Sequence, residues 1–286
     1  MPDSPVVVVG ARGLVGSAVM REASSRSDSA RFAAGSIRPS DGLSVFEDLD
    51  PLATVIWCAG SSDHAASALG PSGQYARNVE QLAEVVERFR GRLVLLTSQA
   101  LYEGQVGPVE AIAPTYPTNP YARSKLLGEA LVQAAVDAGR LQSAVCVRLM
   151  YTFGPGERPT RLLPRAVAAA RERAPLTVAG GGRSYLNPLP VRFVGQALLA
   201  VADREPDPGF LALNLNHPRP ATVLDVLRIV DSEIALDIDV VDGGEAQPVH
   251  FYGVLGRMSP LLSDAGLSIP DPETSVVEHV RELKDH

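Results

Sequence analysis

The stretch Val6-Val-Val-Val9-Gly10-Ala11-Arg12-Gly13-Leu14-Val15-Gly16 decides the fold. Four β-branched residues in a row suit a parallel strand buried on both faces. Glycines then recur at every third position, and a helix-like pattern continues to about Ser25. A glycine-rich turn between strand and helix lets backbone amides and the helix N-terminus approach a pyrophosphate. This predicts a dinucleotide cradle built from Gly10, Arg12, Gly13, Leu14, Val15 and Gly16, spaced G-x-x-G-x-x-G rather than G-x-G-x-x-G.

Working outward, the second strand is expected over Arg31–Ile37. It leads to Arg38, with no acid until Asp41. A sheet that binds NAD usually ends this strand on a carboxylate for the ribose hydroxyls. Arg38 and Arg12 in its place suit a 2′-phosphate, so NADP(H) is favoured and NAD(H) is the alternative. The short interval before Thr54 leaves room for a third strand only at Leu43–Phe46. Thr54–Gly60 reads as the fourth, ending on Cys58, Ala59 and Gly60, small enough for a cofactor to lie close. A loop is expected at 61–73, then a helix opened by Asn78 with Val79, Leu82, Ala83, Val86 and Phe89 at helical spacing.

Leu93–Ser98 is another buried strand. It carries Thr97 and Ser98 to its carboxyl end, the edge where open α/β sheets bind ligands. Ala144–Leu149 follows as the sixth. Helices are expected at 161–173 and 192–203, a strand over Phe210–Leu215, and a helix capped by Thr222 with Asp225 three residues on. A short helix is expected within 271–286. This alternation predicts an α/β fold: a Rossmann doubly wound parallel sheet with a smaller C-terminal substrate-binding α/β portion. Residues 1–152 form the dinucleotide-binding domain, with 189–216 returning to it, and 153–286 mainly the substrate-binding portion.

Between those strands lies Asn119-Pro-Tyr121-Ala-Arg-Ser124-Lys125-Leu-Leu-Gly-Glu129. Tyr121 and Lys125 are one helical turn apart and share a face. An apolar stripe of Leu126, Leu127, Ala130, Leu131, Ala134 and Ala135 lies elsewhere on the helix. An ammonium beside a phenol favours the phenolate and brings it toward a working pH for proton transfer. Only two of the 26 basic residues are lysines, Lys125 and Lys284, so lysine is retained here in a chain that otherwise uses arginine.

Length and composition bound the rest. With 286 residues, 45% hydrophobic and 21% charged, the chain reads as one large globular domain or two interlocked ones. A net charge of −7 gives no footprint for nucleic acid or a membrane surface. Cys58 and Cys146 sit in strand-like runs and read as buried small hydrophobes, which suits a reducing cytoplasm. No Cys/His spacing points to a metal. Met-Pro-Asp-Ser-Pro runs straight into the first strand, so no signal peptide is expected, and no apolar run reaches the ~20 residues of a membrane span.

Taken together, these motifs resemble the extended short-chain dehydrogenase/reductases, the NAD-dependent epimerase/dehydratase branch that modifies nucleotide sugars. The likeness runs from the glycine turn through Trp57-Cys-Ala-Gly60, Asn78 and Thr97-Ser-Gln-Ala-Leu-Tyr102 to Tyr121-x-x-x-Lys125. It continues with Arg148-Leu-x-Tyr151-x-x-Gly-Pro-Gly156 and Leu176-x-Val-x-Gly-Gly-Gly182. The resemblance implies that Tyr121 is the general acid/base, that Lys125 lowers its pKa and holds the nicotinamide ribose, and that Ser98 polarises the reacting carbonyl. It places Gly10, Gly13, Gly16, Cys58, Ala59, Gly60 and Asn78 at the cofactor, and Ser98, Gln99, Tyr151 and Arg183 at the substrate. It also implies a homodimer through helices near 78–90 and 121–138.

The departures select among activities. Ser98-Gln99 stands where dehydratases of the family carry an acidic pair, and Ala100 stands where an epimerising branch carries a cysteine. Arg183 is displaced from the family's diphosphate arginine. The expected function is an NADP(H)-dependent ketoreductase acting on a keto-sugar, with a nucleotide-linked deoxysugar as the substrate class. A nucleotide-sugar 4-epimerase with tightly bound NAD is the alternative, and a non-catalytic NADP-binding protein a third.

Overall fold

Val6–Val9 form β1, and all four valines are buried, as a strand covered on both faces requires. The computed structural model describes residues 4–35, 50, 53–60, 70–205, 209–242 and 249–285. After β1 come α1 (Leu14–Ser24), β2 (Phe32–Gly35), β3 (Thr54–Trp57) and α2 (Gly70–Tyr75). Next are α3 (Gln81–Arg88), β4 (Arg92–Ser98), β5 (Gly107–Val109), α4 (Pro120–Asp137) and β6 (Ser143–Leu149). The later elements are β7 (Tyr151–Phe153), α5 (Leu162–Glu172), β8 (Leu176–Val178), β9 (Pro188–Pro190), α6 (Val191–Asp203) and β10 (Gly209–Leu215). They end with α7 (Val223–Glu233), β11 (Ile238–Val240), β12 (Phe251–Gly253), α8 (Met258–Asp264) and α9 (Pro272–Asp285).

The central sheet has six parallel strands in the order β10-β6-β4-β3-β1-β2. Strand alternation divides its core in two. Val6 and Val8 pack with Val19, Val194 and Leu198 of α1 and α6, while Val7 and Val9 pack with Leu82, Val85 and Phe89 at α3. Gly195 lets α6 press on α1: a Cβ there would lie 3.0 Å from the Ala18 carbonyl carbon. The chain order reverses at β1, with β2 on one side and β3 on the other, so the crevice at their carboxyl ends is the switch point where such sheets bind ligands. A separate core of Phe153, Leu163, Val178, Leu227 and Val280 joins α5, β8, α7 and α9. Thr222 caps α7 in a full capping box with Asp225.

Three local expectations are corrected. Part of the predicted loop 61–73 is helical, because α2 begins at Gly70. Asn78 does not open a helix: it is buried in a π-helical turn, Ala76–Glu80, that joins α2 to α3. On α4 the buried face is Tyr121, Ala122, Ser124, Gly128, Glu129, Val132 and Ala135, so of the predicted apolar stripe only Ala135 is buried and Leu127 is 48% exposed. Small residues win that face because the helices approach closely. A Cβ on Gly128 would already touch Leu82 Cδ2 at 3.4 Å and the Asn78 carbonyl oxygen at 3.5 Å. The expected strand at Leu43–Phe46 lies outside the described residues, as do Arg38 and Asp41.

Candidate active site

Asn119 caps α4, its Oδ1 accepting from the Ala122 amide at 2.8 Å, and Pro120 occupies the first turn, where a missing N–H costs nothing. Glu103 accepts from the Asn119 amide at 3.2 Å and so fixes the entry to the helix. This start sets Tyr121, only 6% exposed, against the end of β4, with its phenol near enough to Ser98 for that hydroxyl to favour the phenolate. Ser98 Oγ also accepts from the Ala100 amide at 3.1 Å. Lys125 follows one turn later, with Nζ 5.9 Å from the centroid of the Tyr121 ring.

The electrostatics depart from expectation. Burial pushes the Tyr121 phenol up, opposed by the Ser98 hydroxyl and the charge of Arg161. Burial brings Lys125 down to about 8, against the pull of Cys58 and Glu129. Burial also pushes the Cys58 thiol up to about 12, so it remains a neutral wall of the crevice.

The glycine turn is built for close approach. Gly10 adopts φ +84°, and a Cβ on it would lie 2.6 Å from the Ala59 amide nitrogen. A Cβ on Gly16 would fall 2.2 Å from the Gly10 carbonyl oxygen. Gly13 is the N-cap of α1 with no capping side chain, which leaves the first-turn amides for an anion. Gly60 would bring a Cβ within 2.3 Å of Asn78 Oδ1 and 3.4 Å of Lys125 Nζ, so the two residues converge on it. Asn78 Nδ2 donates to Ser124 Oγ at 2.9 Å, which orients that amide from inside α4.

The fold thus gathers Gly10, Gly13, Gly16, Cys58, Ala59, Gly60, Asn78, Ser98, Tyr121 and Lys125 at one edge of the sheet. Val15 is buried under the turn, Leu14 is half-buried, and Arg12 is exposed. A cradle that only backbone can line fits the pyrophosphate of a dinucleotide. Among the described residues there is no group of His, Cys, Asp and Glu able to hold a metal. Among them too, no helix is long and apolar enough to cross a membrane.

The structure ties up one predicted substrate contact and leaves another on the surface. Gln99 is 1% exposed, and its amide donates to Arg148 O at 3.1 Å and Asn216 Oδ1 at 2.6 Å while accepting from the Gly253 amide at 3.0 Å. Both donors are committed, so Gln99 clamps β12 to the end of β4. Arg183 points into solvent, 63% exposed, and meets Asp242 at 3.4 Å. The three-glycine turn at 180–182 carries it there. Tyr151 is half-buried, its hydroxyl 3.3 Å from Glu157 Oε1, directly after β6.

Two arrangements have no signature in the sequence. Arg148 of β6 bonds the Glu129 carboxylate of α4 at 2.6 Å, with side-chain exposures of 8% and 4%. Arg148 also donates to the Tyr102 hydroxyl at 2.8 Å and to Ala111 O at 2.9 Å. Glu157, Arg161 and His279 form the second. The Glu157 side chain is 1% exposed and lies 2.9 Å from Arg161 Nε and 3.1 Å from His279 Nε2. Glu129 and Arg148 stand in motifs already read, but nothing local says that they meet. His279 is 122 positions from Glu157, and no spacing rule connects them.

A dTDP-4-dehydrorhamnose reductase of Mycobacterium tuberculosis is 31% identical over 157 residues, 52% of this chain and 49% of that protein. The chain spans 37% of another curated relative, so it matches half or less of either one. Among solved structures, a UDP-glucuronic acid 4-epimerase from Bacillus cereus, in complex with UDP-glucuronic acid and NAD, superposes with a TM-score of 0.84. It shares 16% identity, and the match covers 98% of this chain and 99% of that one. RMD from Pseudomonas aeruginosa, complexed with NADPH, superposes with a TM-score of 0.79 at 19% identity, covering 99% of this chain and 100% of that one. A family model described as "NAD dependent epimerase/dehydratase family" matches residues 6–209, and the chain belongs to that family.

Proposed function

We propose that this protein is an NADP(H)-dependent ketoreductase acting on a keto-sugar, with a nucleotide-linked deoxysugar as its substrate class. The observation that carries the reading is the Ser98–Tyr121 pair, with Lys125 one turn away, at the edge that also presents the glycine cradle. The cofactor supplies the hydride. Ser98 donates a hydrogen bond to the reacting carbonyl, and Tyr121 gives its proton to the alkoxide as it forms. Lys125 beside Gly60 and Asn78 holds the ribose, and its positive charge favours the phenolate left behind. Arg12 and Arg38 take the 2′-phosphate. The C-terminal portion, with its own core around α5, α7 and α9, selects the sugar, and Tyr151 is its contact nearest the chemistry. The exposed Leu127 on α4 supports a homodimer, which light scattering checks. The two free cysteines suit a reducing cytoplasm.

A 4-epimerase with permanently held NAD would use the same three side chains and return the hydride to the opposite face. Denaturing the purified protein and identifying any released dinucleotide, then mixing fresh protein with NADPH and nucleotide keto-sugars, separates the two. Stoichiometric loss of NADPH with a reduced product supports the reductase. Bound NAD, with sugar isomers interconverting and no net cofactor loss, replaces it by the epimerase.

A further inference from the structure

Arg161 stands at the carboxyl edge of the sheet, and no step above uses it. It is the N-cap of α5, and its side chain is fixed on three sides. Nε donates to Glu157 Oε1 at 2.9 Å and Nη2 to the Thr152 carbonyl at 2.7 Å, while the guanidinium lies 4.6 Å from the Tyr151 ring centroid. Tyr151 begins β7 just past β6, whose last residue, Leu149, pairs with Ser98 of β4. The topology therefore sets this guanidinium just past the end of β6, the sheet neighbour of the strand that ends on Ser98.

The carboxylate that aims it is held from several directions. Glu157 accepts from Arg161 and from the Tyr151 hydroxyl at 3.3 Å on Oε1, and from the Gly154 amide at 3.3 Å on Oε2, with His279 Nε2 3.1 Å away. Two anchored guanidinium nitrogens cost Arg161 most of its rotamer freedom at folding rather than during reaction. A guanidinium also keeps its charge at every working pH. Lys125, brought down to about 8, does not.

We propose that Arg161, aimed by the buried Glu157, is a permanent cation of the active site that stabilises the deprotonated form of Tyr121 as its proton leaves. The proton passes from the phenol oxygen to the substrate alkoxide and the electron pair stays on the phenolate, which then faces Arg161 as well as Lys125. The catalytic consequence rests on reading Tyr121 as the proton donor; the electrostatic coupling does not. The charge of Arg161 already opposes the effect of burial on Tyr121 in this structure. The other titratable groups around this proton are Lys125 and Glu129 on α4, Cys58 after β3, Tyr102 and Arg148 beyond Glu129, and Tyr151, Glu157 and His279 around Arg161.

The test replaces Tyr121 in the full chain by 3,5-difluorotyrosine, whose phenol titrates nearer neutrality, and follows it by fluorine NMR. Arg161→Gln retains hydrogen-bonding groups for Glu157 and Thr152 but loses the charge. Its midpoint should rise by about one pH unit, and Arg161→Lys, which keeps a cation and serves if the first variant folds poorly, should stay near the parent. An unmoved midpoint in folded Arg161→Gln, or equal shifts in both variants, overturns the proposal. Because the titration uses no substrate, a protein without reductase activity can still pass it.

Discussion

Glu129→Ala removes one half of a pair that is almost wholly out of water. Arg148 then loses the acceptors of Nε, at 3.0 and 3.2 Å, and of Nη2, at 2.6 Å, and keeps only its Nη1 bonds to Tyr102 and Ala111. Each charge-assisted bond is worth roughly 1.5–3 kcal/mol, and breaking a buried pair from one side costs about 3–5 kcal/mol. We expect a loss in that range, a large fraction of the roughly 5–15 kcal/mol that holds a domain folded. Equilibrium urea unfolding gives the number, and the thermal midpoint should fall by on the order of 10 °C. Glu129→Gln retains one acceptor and should cost less. The double variant Glu129→Met/Arg148→Met should cost less than the sum of the single ones, since no charge is then stranded. The pair ties α4, which carries Tyr121 and Lys125, to β6 beside Ser98. A loss below about 1 kcal/mol, the range of an exposed pair, would refute the reasoning.

Three further outcomes follow. Tyr121→Phe should lower turnover by roughly 10²–10⁴-fold while dinucleotide affinity, measured by calorimetry, is kept; equal activity in the variant would remove Tyr121 from the chemistry. Gly16→Ala places a Cβ 2.2 Å from the Gly10 carbonyl oxygen, so both cofactor affinity and melting temperature should drop together. The pH dependence of Lys125 has a definite sign. Its folded pKa is about 8 against 10.5 for a free lysine side chain, so below 8 both states are protonated and the folded state bears the buried charge. Between those values the unfolded chain binds more protons, and stability rises with pH. Cys58, pushed up to about 12 from 9.0, acts in the opposite sense above pH 9. The comparison is therefore wild type against Lys125→Met: the wild type should gain relative to the variant from pH 8 to 10.5, and a flat difference contradicts the assignment.

Val6–Val9 and the glycines at 10, 13 and 16 announce a strand, a turn and a helix because strand burial and close backbone approach leave local marks in residue type. The i,i+4 spacing of Tyr121 and Lys125, and the Thr222/Asp225 box, are legible for the same reason: each interaction closes within one helical turn. Tertiary structure decided the rest. Periodicity shows that α4 has an apolar stripe, but not that a close partner would select the Gly128 face and leave Leu127 outside. Glutamine after Ser98 looks available to a substrate until Asn216 and Gly253, more than a hundred positions away, take up its amide. Glu157 acquires its role only when the fold brings His279 and Arg161 to it, and the glycine turn, not the local sequence, decides that Arg183 meets Asp242. A side chain's charge environment is set by what the fold places around it, and most of those neighbours come from distant parts of the chain.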